Sequence, residues 1–367
     1  MDIFSKRVRK MDASGIRKAF ELAKKLKDPI DLSIGQPDFN IPENIKKVAI
    51  EAIKNNKNKY TLTQGVEELR AEIAKKLKKE KQINSKKENI VVTGAVSGGL
   101  SVVLPTLIDV GDEVIIFDPS FVGYKQLVLL YGGKPKMVEK NPDFSINFDN
   151  LEKAITKKTK AIIFSTPENP TGYVYQEKEL IKLVRIAQKN NLTLISDEIY
   201  QDFVYDRRHF SVGQIDPGAV VLKGFSKSQA MMGWRVGYLS GPAEIIENVI
   251  KVQQFTFVCA PTPFQYAGLE ALKVRNKEII KEYKKKRDFV YNALKDNYEM
   301  IKPGGAFYFF IKYPFAGEKF FQKCLENNLI IVPGNSFSQK NTHFRICYAT
   351  GWEKLEKAVQ ILNKVVE

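Results

Sequence analysis

Asn169, Asp197, Tyr200, Lys227 and Arg235 are the residues whose types could do chemistry together if the fold gathers them. A lysine amine attacks carbonyl carbon once neutral, and burial near other cations lowers its pKa toward that state. A carboxylate pairs with a protonated ring nitrogen. Amide and phenol groups hydrogen-bond a ring oxygen. A guanidinium fork grips phosphate or carboxylate in a geometry lysine cannot copy. Each residue alone has a plainer reading. Lysine and arginine number 58, so most must be solvated surface. Asn169-Pro-Thr-Gly172 is turn chemistry, and an acid such as Asp197 often caps a helix.

The elements that would position these residues are legible as short apolar runs. They are Ile90–Thr93, Glu113–Phe117, Ala161–Ser165, Leu192–Ser196, Val220–Lys223 and Val236–Leu239. They are β-branched and do not alternate, as strands buried on both faces should be. Helical periodicity separates them, for example over 177–190. This is an α/β pattern with a mostly parallel sheet. In such sheets ligands bind beyond the C-terminal strand ends, and each chemical residue stands just after a run. After the first run, Ala95, Val96 and Ser97 open a helix whose amides could cradle an anion. After the second, Phe121 could cover a flat ligand. From about residue 275 the texture changes to a long charged helix (276–297), strand-like stretches at Gly304–Phe310 and Phe344–Tyr348, and a closing helix from Glu353. We expect three segments: 1–44 packing with a small α+β domain, a large domain over 45–275, and that small domain over 276–367.

Composition narrows the chemistry. Hydrophobic residues make up 44% and charged residues 27%, the balance of a globular protein with a sizeable core. No apolar run approaches a membrane span, and the N-terminal stretch lacks an apolar segment fit for a signal peptide, so no membrane association and a cytoplasmic address are expected. Three scattered cysteines and two histidines disfavour a disulfide framework, a zinc site or a hydrolase triad. The net charge of +16 raises nucleic-acid binding. The basic runs at 74–81 and 281–287 carry interspersed glutamates, which reads instead as solvated helix faces, so no nucleic-acid partner is expected.

Taken together, the strand-end residues meet the needs of pyridoxal 5'-phosphate. Their order resembles the class I/II aminotransferases, the aspartate-aminotransferase-like branch of the fold type I pyridoxal-phosphate enzymes. The resemblance runs from Ser33-Ile-Gly-Gln-Pro-Asp-Phe39 through Lys59–Gly65, Asn169–Gly172, Ser196–Tyr200, Ser226-Lys227 and Gly233–Tyr238 to Phe344–Thr350. It implies a seven-stranded sheet in the large domain. It implies that Lys227 bonds the cofactor aldehyde and later moves the substrate proton, and that Asp197 faces the pyridine nitrogen. Asn169 and Tyr200 then serve the ring oxygen. Ala95, Val96, Ser97, Ser226 and Arg235 hold the phosphate. Arg345 takes the substrate carboxylate, Gly35 lies in the loop over the substrate, and Tyr60 reaches the cofactor of a second subunit in a homodimer with shared sites.

Two points depart from or extend that pattern. Gly224 stands where many members carry a phosphate-binding serine, and Phe255 and Phe257 either line an apolar side-chain site or simply pack. The reaction expected is transfer of an amino group from an L-amino acid, leaning aromatic, to a 2-oxo acid such as 2-oxoglutarate. Aspartate as donor and a carbon–sulfur lyase on the same scaffold stay open. A DNA-binding ligand sensor would carry an appended helix-turn-helix module, for which the short N-terminal stretch is expected to leave no room.

Overall fold

In the computed structural model, which describes residues 3–13, 15–24 and 26–367, the apolar runs assemble into a seven-stranded sheet. Its spatial order is Ile90–Thr93, Gly237–Ser240, Val220–Gly224, Thr193–Asp197, Thr159–Ser165, Glu113–Asp118 and Lys134–Glu139. Gly237–Ser240 pairs antiparallel with both neighbours, and the other pairings are parallel. Successive side chains leave a strand on opposite faces. Val114, Ile116, Ile163, Ile195 and Leu222 therefore pack on one side with Leu100 and Val103 of the helix Ala95–Leu107. Ile115, Phe117, Ile162, Phe164 and Leu194 pack on the other with Leu180, Leu183 and Val184 of the helix Glu177–Lys189. Covering both faces is what requires uninterrupted apolar runs, each such side chain contributing about 1.5–3 kcal/mol on burial.

The strand Lys134–Glu139 has no counterpart among the runs picked out in the sequence. It lies at the sheet edge and reads Lys-Pro-Lys-Met-Val-Glu, with only Val138 buried. An edge strand has one partner and tolerates proline and charge, so the apolar signal is missing.

A second core is built from aromatic residues of the C-terminal part. The strands Val332–Pro333, His343–Cys347 and Tyr308–Lys312 form an antiparallel sheet in that order. The helices Lys277–Leu294, Gly317–Glu326 and Trp352–Val366 supply further members of its hydrophobic cluster. The expected strand at 304–310 begins later, at Tyr308. The backbone before it pairs elsewhere: Gly305 N donates to Gly172 O at 2.9 Å and Ala306 N to Phe203 O at 2.8 Å. Those bonds fasten the aromatic core to the loops at the large sheet's strand ends. Phe307 is fully buried there, edge-on to Tyr200, Phe203 and Tyr283.

The N-terminal segment contacts this second core. Ile30–Asp31 pairs parallel with Leu329–Ile330, and Cys347 N donates to Leu32 O at 2.9 Å. Asp38 accepts from Tyr283 Oη at 2.5 Å and Lys286 Nζ at 2.6 Å, tying the loop 32–39 to the helix Lys277–Leu294. The segment also touches the large sheet's side, where Asp12 N donates to Gln126 Oε1 at 3.0 Å. Residues 1, 2, 14 and 25 of the 1–44 segment lie outside the described residues.

Phe307 packs rings from the strand-end loops against the helix Lys277–Leu294, so its truncation should loosen more than a local patch. Phe307→Ala is expected to cost about 3–5 kcal/mol, read as a lowered urea midpoint. A loss below about 1 kcal/mol would mean that this ring is not a structural joint.

Candidate active site

The strand ends converge on a cavity of about 250 Å³. Gly35, Ala95, Val96, Ser97, Phe121, Asn169, Asp197, Tyr200, Ser226, Lys227, Arg235 and Arg345 all line it. Tyr60 does not. It is 82% exposed. Phe257 packs toward Gly94 and Gly98, and Phe255 is 87% exposed, so neither lines the cavity.

Asp197 ends its strand with the carboxylate buried. Tyr124 Oη donates to its Oδ2 at 2.8 Å and Ile199 N to its Oδ1 at 3.0 Å. Burial pushes its pKa up to about 6, against the pull of those two hydrogen bonds. Lys227 stands across the cavity and donates from Nζ to the Gly35 carbonyl at 2.5 Å. Burial lowers its pKa to about 8, with the Arg345 charge pushing the same way and Asp197 opposing.

Arg345 is 1% exposed. Its Nη1 donates to Asn169 Oδ1 at 2.9 Å, and its Nη2 to the Ser33 carbonyl. The rings of Tyr308 and Phe337 lie 4.6 and 4.7 Å from the guanidinium carbon. The fork is thus fixed, yet its buried Nε has no hydrogen-bond partner. Arg235 sits at the exposed mouth, bonded to Met232 O at 3.0 Å. Among the described residues no carboxylate forms an ion pair with Lys227, Arg235 or Arg345.

The helix Ala95–Leu107 starts with Gly94 at its N-cap and no side-chain cap, which leaves the first amides available. Its approach to the sheet depends on Gly237. A Cβ there would lie 2.8 Å from Ala95 Cα and 2.9 Å from Lys223 O. Gly224 pairs with Gly237 in register, and a Cβ on Gly224 would stand 3.2 Å from Gly237 Cα. The absent serine therefore marks a close glycine–glycine contact, and Gly224 is not a lining residue.

Tyr124 and Tyr308 are lining residues that the sequence reading did not single out. Tyr124 holds Asp197, and Tyr308 Oη lies 2.6 Å from Tyr200 Oη. A Cβ on Gly35 would fall 2.0 Å from Tyr308 Oη, so the loop over the site crosses that hydroxyl closely. Spacing offered one signal for Tyr124: it follows Phe121 by one helical turn on a segment already suspected of carrying an aromatic. Tyr308 had none, because an aromatic in an apolar strand reads as core.

These donors fit pyridoxal phosphate. Three cations face one carboxylate, which suits a ligand and substrate bearing a phosphate and a carboxylate. The uncapped amides, Ser226 and Arg235 supply anion-binding donors to the cavity wall, and Asp197 is a buried carboxylate that a ring cation would balance.

The lowered pKa of Lys227 has a consequence for the cofactor-free protein. Between about pH 8 and 10.5 the unfolded chain keeps a proton that the folded chain has released, so this group's contribution to stability rises with pH there. Below pH 8 the folded state bears the whole cost of burying the charge. Lys227→Met is therefore expected to melt above the wild type at pH 7, both stripped of cofactor. The gap should narrow as pH rises toward 10.5. A gap independent of pH in differential scanning fluorimetry would show that the amine is not desolvated.

Comparison with known proteins agrees with this geometry. The family model for aminotransferase class I and II matches residues 27–362. A probable aspartate aminotransferase of Methanocaldococcus jannaschii is 40% identical over 377 residues, covering 100% of both chains. An aromatic-amino-acid aminotransferase of Thermococcus litoralis is 37% identical, covering 99% of this chain and 98% of its own. The solved structure of Thermus thermophilus aspartate aminotransferase with maleate superposes with a TM-score of 0.93 at 34% identity, covering 100% of both chains. The chain belongs to the class I and II aminotransferases, and it is a pyridoxal-phosphate-dependent transaminase on the aspartate aminotransferase fold.

Proposed function

We propose that this transaminase takes the amino group of an L-amino acid, aromatic by preference, and passes it to a 2-oxo acid such as 2-oxoglutarate. Pyridoxal phosphate, when bound, supplies an aldehyde that condenses with amines and a ring that accepts the electron pair left by the departing α-proton.

In this reading Lys227 carries the proton. Its pKa of about 8, against an ordinary 10.5, leaves a useful fraction of neutral amine near neutral pH. Asp197 balances the charged ring nitrogen, and Tyr124 keeps that carboxylate aimed. Asn169 has given its oxygen to Arg345, so its amide hydrogens remain to donate to the ring oxygen. Tyr200 donates to the same oxygen with Tyr308 at its back. The amides of Ala95, Val96 and Ser97, the Ser226 hydroxyl and Arg235 hold the phosphate, while Phe121 covers the ring. Arg345 receives the substrate carboxylate. Gly35 keeps the loop above free of a side chain, so the 1–44 and 276–367 segments can close against 45–275 and exclude water.

One observation carries the aromatic preference. The cations lining the cavity are Lys227, Arg235 and Arg345, and each has a role already. Among the described residues none remains for a distal carboxylate, and the rest of the wall includes Ile16, Leu100 and Phe121. The Thermococcus litoralis relative acts on aromatic amino acids by its name. Aspartate is the second reading, favoured by the name of the Methanocaldococcus jannaschii relative. It requires a cation from beyond this chain's own cavity.

The exposed Tyr60, remote from its own cavity, supports a homodimer in which it reaches the phosphate held by the partner subunit. Among the described residues no helix is long and apolar enough to cross a membrane. A cytoplasmic address is part of the same proposal.

Single amino acids offered to the holoenzyme test the donor. Phenylalanine or tyrosine should convert the cofactor absorbance to the amine form, and 2-oxoglutarate should restore it. Faster conversion by aspartate would replace the aromatic reading, and conversion that no oxo acid reverses would favour a lyase. Borohydride should fix the cofactor to Lys227, and a labelled peptide mapping elsewhere would sink that role. Arg345→Ala removes one side of a buried charge pair, a loss of about 2–5 kcal/mol. It should lower kcat/KM for the donor by about thirtyfold or more.

A further inference from the structure

Behind the cavity, on the far side of the strand ends, lies a second set of buried polar groups with no part in the roles above. Glu198 and Lys223 are at most 1% exposed, and Lys223 Nζ is 3.1 Å from Glu198 Oε2. Ser211 Oγ donates to Glu198 Oε1 at 2.6 Å and Ser196 Oγ to the same oxygen at 3.3 Å. Lys223 Nζ also donates to Gln201 Oε1 at 3.0 Å. His209 Nε2 is 3.0 Å from the Thr166 carbonyl and 3.9 Å from Glu198 Oε2.

The placement of these groups is what matters. Thr166 leads into Asn169, Glu198 follows Asp197, and Lys223 shares its strand end with Ser226 and Lys227. The cluster therefore joins the three adjacent strand ends that carry the ring-facing residues. Backbone bonds run the same way: Thr166 N donates to Asp197 O at 3.0 Å, and Glu198 N to Leu222 O at 2.8 Å.

We infer that the buried Glu198–Lys223 pair is a positioning element for the reaction, holding the strand ends of Asn169, Asp197 and Lys227 in register and balancing Glu198 so that Asp197 keeps its own charge for the cofactor. This rests on the reading that Asp197 faces the ring nitrogen. Two neighbouring buried carboxylates cannot both stay ionised without a counter-charge. Glu198 is the nearer like charge to Asp197, and Lys227 is the cation that opposes it there. Glu198 itself faces Lys223, His209 and, through the field, Tyr238. Lys223 faces Glu198 and feels Lys76. Remove Lys223 and the two carboxylates compete for one proton. Remove the Glu198 charge as well and the competition ends.

A buried ion pair is weak support for stability by itself, since apolar replacement of both partners is often neutral. That property separates positioning from mere packing. The variants are Lys223→Met, Glu198→Gln, the two combined, and Asp197→Asn as reference. Glutamine keeps an acceptor for Ser211 and Ser196. Two quantities are read on each: pyridoxal phosphate affinity of the stripped protein, and the pH midpoint of the bound cofactor's visible band. Lys223→Met should bind the cofactor about tenfold or more weakly and shift the midpoint, while the double variant returns to within about threefold of wild type. If Lys223→Met does not accumulate folded, the double variant must bind more tightly than Glu198→Gln, which leaves a buried ammonium unbalanced.

Wild-type affinity and midpoint in Lys223→Met, beside a damaged Asp197→Asn, would overturn the proposal alone. So would a double variant as weak as Lys223→Met. An Asp197→Asn protein with unchanged midpoint and affinity would overturn the reading of Asp197 and the proposal with it.

Discussion

Asp197 is a charge that the fold keeps out of water, and the surrounding structure follows from how it is kept. A buried carboxylate is raised toward its neutral form unless donors and cations hold it. Here Tyr124 and the Ile199 amide hold it from behind, and Lys227 opposes it across the cavity. Its pKa of about 6 shows that these do not fully offset burial. A ring cation placed between Asp197 and the open side would complete the balance. Asp197 and its surroundings are thus arranged to favour a cationic group at that place. The buried Arg345, with a fixed fork and no carboxylate partner among the described residues, repeats the pattern elsewhere on the cavity wall.

Holding such charges requires backbone placed closely and sometimes awkwardly. Ala95 and Arg235 both have left-handed φ values, +61° and +53°. For residues with a Cβ this costs about 1–3 kcal/mol each. Both strained residues line the cavity. Gly237 has the complementary task, since only a residue without a side chain lets the Ala95 backbone descend onto the sheet. The glycine at 224 is part of the same close contact, which resolves why serine is missing there without leaving a gap.

How much of this could be read in the sequence depended on how each residue is used. Strands buried on both faces announce themselves, because most of their positions must be apolar and polar residues gather at their ends. Ile90–Thr93 and Val220–Gly224 were found for that reason, with ends shifted by a residue at most. The edge strand Lys134–Glu139 was not, since one open side removes the constraint. The site residues were legible as a set only because each stands just past a recognisable strand. Tyr308 lies inside a strand of the other core, and its role comes from a hydroxyl meeting Tyr200 across some hundred residues of chain, 2.6 Å apart. The same holds for Lys223, which looks like one more surface lysine until the fold encloses it. Helix Lys277–Leu294 was legible from its charged texture, and it ends at Leu294 rather than at 297.

The immobility of Arg345 has a geometric corollary. Asn169, Ser33, Tyr308 and Phe337 hold its guanidinium from four directions, so a bound carboxylate meets a fork that cannot swing. In the proposed reading that fork takes the carboxylate and the cofactor would hold the amino nitrogen, so two of the α-carbon's four bonds have their directions assigned, and the hydrogen must be the one that faces Lys227. Exchanging hydrogen and side chain, as a mirror-image amino acid does, would aim the hydrogen away from the amine and drive the side chain into it. On that reading handedness would follow from a fixed guanidinium and a fixed amine rather than from the shape of a side-chain pocket. The pocket wall is left free to vary with the donor without loosening enantiomer discrimination.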